Sequence, residues 1–209
     1  MARDRGARPE AKPLRLFVAV DIPEAIRTEL ARRTARFHDA IHGARWTNTD
    51  SWHVTLKFLG ATWPRLVDEV EQAVTDAASS ARATRSALTH VGAFPSPRRA
   101  RVIWAGLADE EGDLASAAGD LDRRLEHHFK PEKRSLTPHL TLARLRTPAN
   151  LEAIAPELFD LDVATEAFPI DELVLYRSHL SPKGATYEPI YRASFGRSPE
   201  MLDPEHTFE

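Results

Sequence analysis

Apolar and polar positions along this chain alternate between a period of two and a period near 3.6, and the changes of period mark out the elements. Leu14–Asp21 (LRLFVAVD) is a nearly continuous apolar run of strand length, which predicts a buried strand. Pro23-Glu24 opens a predicted helix to about Ile41, with proline near its first turn. His53–Leu59 (HVTLKFL) alternates and is rich in β-forming residues, so it predicts a strand ended by Gly60. Helical spacing returns over Pro64–Arg82 through Leu66, Val67, Val70, Ala73, Val74 and Ala77. Thr84–Phe94 predicts a strand stopped by Pro95-Ser96-Pro97, and Arg101–Leu107 (RVIWAGL) predicts another. Glu110–Phe129 reads as a helix with Leu114, Ala117, Ala118, Leu121 and Leu125 along one side. His139–Leu145 (HLTLARL) is a predicted strand, Asn150 a cap for a short helix to about Phe159, and Phe168–His179 and Ala185–Phe195 are the last strands. Residues 1–13 are charged and aperiodic and residues 197–209 are polar with two prolines, so a disordered lead-in and a loose tail are expected.

Sliding the sequence by 86 positions matches it to itself. The run LFVAV falls on VIWAG, with Phe17 on Ile103, and His53-Val-Thr-Leu56 falls on His139-Leu-Thr-Leu142. Leu88-Thr89 falls on Val174-Leu175, inside predicted strands. Phe17 to His53 and Ile103 to His139 are both steps of 36. Each half therefore reads strand, helix, H-x-T-L strand, helix, strand, which is a duplicated α+β unit. Residues 14–196 are expected to form one domain, with repeat halves at about 14–97 and 98–180. A pseudo-twofold between such halves sets equivalent strands side by side and brings the two histidines to the lobe interface.

Composition narrows the setting. A chain of 209 residues with 42% apolar content can bury a real core, and a mean hydropathy of −0.40 suits a soluble globular protein. No apolar run approaches the ~18 residues of a membrane span, and the first residues carry no apolar signal core, so no membrane partner and a cytoplasmic location are expected. The absence of cysteine excludes disulfides and thiolate metal sites. A net charge of −3 is not that of a protein coating long nucleic acid, yet a few local cations can neutralise one phosphate. Lys130, Lys133, Arg134, Arg144 and Arg146 cluster around the second histidine motif against only Glu132.

The chemistry lies in the paired motifs. On a strand, residues i and i+2 share a face, roughly 6.5–7 Å apart. His53 and Thr55 then share one face and His139 and Thr141 another, while Val54, Leu56, Leu140 and Leu142 point into a core. One such motif is weak evidence, since a strand histidine is commonly structural. Two copies at equivalent repeat positions point to a task, because burying two idle imidazoles carries a desolvation cost. Two imidazoles and two hydroxyls around one small anion suit phosphoryl transfer, one ring accepting a proton from the attacking water and the other donating one to the leaving oxygen. No HExxH, Walker loop or GxSxG competes with them. His127-His128 suits a helix C-terminus rather than a ligand pair, and His38, His42, His90 and His206 are read as structural or surface groups. Strict alternation also puts Lys57 on the face of His53, and sets Phe58 and Arg144 on the opposite face unless the strand bulges.

The stretches Arg15–Asp21, His53–Gly60, Arg101–Gly106, Pro138–Arg144 and Leu175–Ser181 with Tyr187-Glu-Pro189 together resemble the 2H phosphoesterase superfamily. Within it they resemble the bacterial and archaeal RNA 2′,3′-cyclic phosphodiesterases, also called LigT-like 2′-5′ RNA ligases. The resemblance implies a bilobal α+β fold, with antiparallel sheets forming a central cleft and helices packed outside. It implies hydrolysis of RNA 2′,3′-cyclic phosphate ends, or of nucleoside 2′,3′-cyclic phosphates, to 2′-phosphomonoesters; the two His/Thr pairs themselves need no metal, and no cofactor and a monomer are expected. His53 would be the proton donor and His139 the acceptor, Thr55, Thr141 and Arg144 would hold the phosphate, and Phe58 could stack on a base. Reversible 2′-5′ ligation and a non-catalytic RNA-end binding module are the alternatives.

Overall fold

The computed structural model describes residues 12–182 and 184–196; most of the expected lead-in, the whole expected tail and His206 lie outside them. In chain order the elements are β1 (Leu14–Asp21), α1 (Glu24–Thr34), β2 (Ala44–Trp46), β3 (His53–Thr62), α2 (Val67–Ser80), β4 (Thr84–Ser86), β5 (Leu88–Phe94), β6 (Ala100–Leu107), α3 (Asp113–Leu125), β7 (His139–Ala149), α4 (Leu151–Ile154), β8 (Phe168–Ile170), β9 (Glu172–Ser181) and β10 (Gly184–Ser194). Eight strands form one antiparallel sheet in the order β10-β9-β1-β3-β7-β6-β5, with β2 beside β7; β4 and β8 pair as a separate ribbon.

The 86-residue offset carries β1 onto β6, β3 onto β7 and β5 onto β9. The sequence halves interleave in space. β5, from the first half, pairs with β6, and β9, from the second, pairs with β1. β3 and β7 meet at the centre through one bridging pair, Val54 with Leu140, which are themselves repeat equivalents. The pseudo-twofold thus runs through the sheet between the two histidine motifs.

One face of the sheet is dry. Val54, Leu56, Leu140 and Leu142 are buried there, with Leu16, Val18 and Val20 of β1. Two helices help to close it with stripes at helical spacing, Val70, Ala73, Val74, Ala77 and Ala78 on α2 and Leu114, Ala117, Ala118, Leu121 and Leu125 on α3. α2 packs on β9, β10 and α3, and α3 packs on β3. Each buried leucine of these stripes contributes roughly 1.5–3 kcal/mol. That packing fixes the strands whose other face carries the two His-x-Thr motifs.

Several expected boundaries shift for local reasons. The predicted strand Thr84–Phe94 breaks at Ala87, so β4 joins the ribbon and β5 the main sheet, and Phe168–His179 divides in the same way. β3 runs past Gly60 to Thr62, because a bulge at Leu59 and a left-handed Gly60 (φ 68°) carry the pairing onward to Leu14. Asn150 stands at the start of α4 without a side-chain cap; its backbone carbonyl accepts from Ala153 and Ile154 instead.

Candidate active site

Continuing the antiparallel register from Val54–Leu140 sets His53 across from Thr141 and Thr55 across from His139. The two histidines then stand diagonally across that one bridge, with His139 and Arg144 near enough to His53 to act on its charge. Each ring is held in the same way. His53 Nδ1 lies 2.7 Å from the Ser51 carbonyl and His139 Nδ1 lies 2.8 Å from the Thr137 carbonyl, and Ser51 and Thr137 are also repeat equivalents. A carbonyl only accepts, so Nδ1 carries the hydrogen and Nε2 is left as the acceptor nitrogen of each neutral ring.

Both motif strands bulge at equivalent places. On β3 the pairing with β1 skips Leu56, and on β7 the pairing with β6 skips Leu142. An extra residue inverts side-chain parity beyond it. Phe58 and Arg144 therefore come round to the face of the histidines, where strict alternation had set them on the reverse. Lys57 goes the other way, correcting the alternation-based expectation. It is 1% exposed, paired with Asp122 of α3 and donating to the Lys130 carbonyl at 2.9 Å. The β7 bulge is pinned by Thr47, whose backbone N–H and hydroxyl both reach the Leu142 carbonyl at 2.9 Å while the hydroxyl also reaches that of Thr141. Trp52 Nε1 donates to the Thr47 hydroxyl at 2.7 Å.

The two histidines have different surroundings. Phe17 stacks on His53 at 4.7 Å between ring centroids and Tyr187 meets it edge-on at 4.9 Å, whereas Phe94 meets His139 edge-on at 5.0 Å. Asp21 pairs with His53 across β1–β3, and Gly106 occupies the corresponding place across from His139. The pairing thus aligns Asp21 with Gly106 and Phe17 with Val102, one position off the sequence slide. Asp21 accepts from the Tyr176 hydroxyl at 2.5 Å and from Arg192 at 3.3 Å. Asp21, Arg27, Ser51, His53, Tyr176 and Arg192 help to line a cavity of about 280 Å³.

Burial pushes the His53 imidazole down to about 4; the Ser51 carbonyl and Asp21 oppose that fall, while Arg144 and His139 add to it. His139 is also lowered, first by burial and then by Arg144, with the Thr137 carbonyl opposing. The Tyr176 phenol is raised by burial and by its bond to Asp21, so it stays a donor. Among the described residues no group of three or more His, Asp or Glu side chains could hold a metal ion, and no helix is long and apolar enough to cross a membrane.

Of the expected site residues, His53, Thr55, His139, Thr141, Phe58 and Arg144 share the open face, and Lys57 does not. Asp21, Phe17, Tyr176, Tyr187 and Thr47 escaped sequence reasoning as individual site residues. The one local signal was an acid closing an otherwise apolar strand. His128 lies 3.0 Å from Glu69, and His38 stacks on Trp46 at 4.3 Å.

The chain is similar to known proteins over most of its length. The family model described as LigT like Phosphoesterase matches residues 20–104 and 107–187. An RNA 2′,3′-cyclic phosphodiesterase of Methanothermobacter thermautotrophicus is 30% identical over 83% of this chain and 95% of its own. One from Aeropyrum pernix is 31% identical over 79% of this chain and 98% of its own. Among solved structures, a Thermus thermophilus protein superposes with a TM-score of 0.73 at 25% identity, covering 87% of this chain and 98% of its own. Escherichia coli LigT complexed with 3′-AMP does so with a TM-score of 0.72 at 24% identity, covering 88% and 98%. The chain belongs to the LigT-like phosphoesterase family.

Proposed function

We propose that this chain hydrolyses the 2′,3′-cyclic phosphate at an RNA end to a 2′-phosphomonoester by general acid–base catalysis, without a metal ion. The observation that carries the reading is the symmetric pair of imidazoles, each with Nδ1 on a backbone carbonyl and Nε2 free, flanking the Val54–Leu140 crossing. The names of the relatives supply the substrate class. His139 Nε2 takes a proton from water as the water oxygen bonds to phosphorus. The bond from phosphorus to the 3′ oxygen breaks, and that oxygen takes the proton from His53 Nε2. Thr55, Thr141 and Arg144 hold the non-bridging oxygens as charge builds on them.

Asp21 gives the pseudo-symmetric site its direction. A carboxylate across from His53 favours the protonated ring there, and Gly106 across from His139 leaves that ring to work neutral. Burial holds His53 near 4, so a bound negative phosphate itself helps to bring the donor's proton. The test is turnover of a nucleoside 2′,3′-cyclic phosphate with the product isomer identified, with and without EDTA. Conversion to the 2′-monoester, unchanged by the chelator, is expected. Tight binding without turnover would instead indicate an RNA-end binding module, and loss in EDTA restored by zinc or magnesium would refute the metal-free mechanism.

A further inference from the structure

Beside the histidine pair, Phe58, Phe129, Lys130, Lys133 and Arg134 help to line a cavity of about 460 Å³. The three cations are exposed, and the ion pairs among the described residues do not include them. Residues 130–138 form neither helix nor strand, so their position depends on specific bonds. Those bonds come from below. Lys57 Nζ donates to the Lys130 carbonyl at 2.9 Å, and Asp122, its ion-pair partner, accepts from the Glu132 backbone N–H at 2.9 Å. A buried ammonium costs several kcal/mol unless paired and hydrogen-bonded. Here that group sits one residue after the β3 bulge and ties a basic loop to the motif strand.

A chain of aromatic contacts links the cavity to the candidate active site. Phe58 is 60% exposed and lies 6.3 Å from Phe17, which in turn stacks on His53 at 4.7 Å. An RNA whose 3′ end is a cyclic phosphate can extend from it only on the 5′ side. An aromatic face beside several unpaired cations fits a base and its backbone phosphate. We propose that this cavity is a subsite for the nucleotide on the 5′ side of the terminal cyclic phosphate, with Lys57 and Asp122 as its positioning residues. The proposal rests on the hydrolase reading of the site, and it makes an oligonucleotide end a better substrate than a mononucleotide.

The test compares kcat/KM for a short oligonucleotide ending in a 2′,3′-cyclic phosphate with that for the mononucleoside 2′,3′-cyclic phosphate. The wild-type protein is expected to favour the oligonucleotide, and Lys133→Ala with Arg134→Ala to cut that ratio about tenfold, mainly through KM. The salt dependence of oligonucleotide binding should become shallower by about 0.7 in log–log slope for each phosphate that no longer meets a cation. Lys57→Met should lower the same ratio; Asp122→Asn, which keeps an acceptor for the loop, covers the case in which Lys57→Met does not fold. Fluorescence anisotropy of labelled oligonucleotides ending in a 2′-phosphate, competed with the 2′-mononucleotide, reads the subsite without turnover, so failure of the hydrolase reading is separable. A wild-type ratio near one, or a ratio unmoved by the double substitution, overturns the subsite.

Discussion

Replacing Asp21 by Asn removes one negative charge directly across the β1–β3 ladder from His53 and keeps an acceptor for Tyr176 and Arg192. Facing side chains on such a ladder have Cβ atoms about 4.5–5.5 Å apart. Two unit charges at about 4 Å interact by about 4 kcal/mol at an effective dielectric constant of 20. Arg192, 3.3 Å from Asp21, offsets a large part of that, so about 1.4 kcal/mol is a reasonable net value, equivalent to one pH unit. The sign follows from the proposed role. His53 must be protonated to donate, and loss of the carboxylate makes protonation harder. On the alkaline side kcat/KM tracks the protonated fraction of His53 in the free enzyme. The Asp21→Asn profile should therefore drop about tenfold along that limb, with the limb displaced about one unit toward acid. The wild-type profile of kcat/KM should itself sit at lower pH than that of kcat, because bound phosphate raises both imidazoles. Titration of the His53 ring by NMR supplies the independent reading. A loss of equal size at every pH, or an unmoved His53 titration, would refute the argument that Asp21 holds the donor's charge.

Three further outcomes are expected. The unfolded chain protonates His53 near 6.5 but the folded chain only near 4, so the unfolded state holds more protons between those values and stability falls as pH drops through that window. The difference is about 3 kcal/mol, and His53→Gln should flatten the urea-midpoint profile between pH 6.5 and 4; an equally steep profile would contradict the assigned burial cost. Thr47→Val removes the hydroxyl that holds the Thr141 and Leu142 carbonyls, and it should raise KM more than it lowers kcat by loosening the bulge that aims Arg144; an effect on stability alone would contradict that link. Thr55→Val and Thr141→Val should each slow turnover, but by less than loss of either histidine, because a remaining donor or water can replace a hydroxyl; a loss as large as a histidine's would give the threonines a larger role than phosphate holding.

The sequence made the motif strands legible because their alternation is regular up to the bulge and their spacing is duplicated. The stripes of α2 and α3 were legible for the same reason, since a helix that covers a sheet must keep its apolar positions in register with it. A bulge leaves no comparable mark. One extra residue at Leu56 and one at Leu142 invert parity beyond them, so pattern reading sent Lys57 to the open face and Phe58 and Arg144 to the dry one. The repeat contains a related slip. Gapless sliding aligns Phe17 with Ile103, while hydrogen-bonded pairing matches it with Val102. β2, at three residues, is too short for a period, and the interleaving of β5 and β9 depends on pairing partners far along the chain. Asp21 and Tyr176 meet across 155 residues, a separation that local patterning does not encode.

The most direct test of the two-histidine account uses leaving-group chemistry. His53→Ala and His139→Ala should each lower turnover of a 2′,3′-cyclic phosphate by about 10²–10⁴-fold, as expected for a lost general acid or base. A nitrophenyl phosphodiester, whose leaving oxygen needs no proton, should restore most of the rate to His53→Ala and little to His139→Ala. Rescue of His139→Ala in place of His53→Ala would reverse the donor and acceptor. Undiminished turnover of the cyclic phosphate by either variant would contradict the mechanism itself.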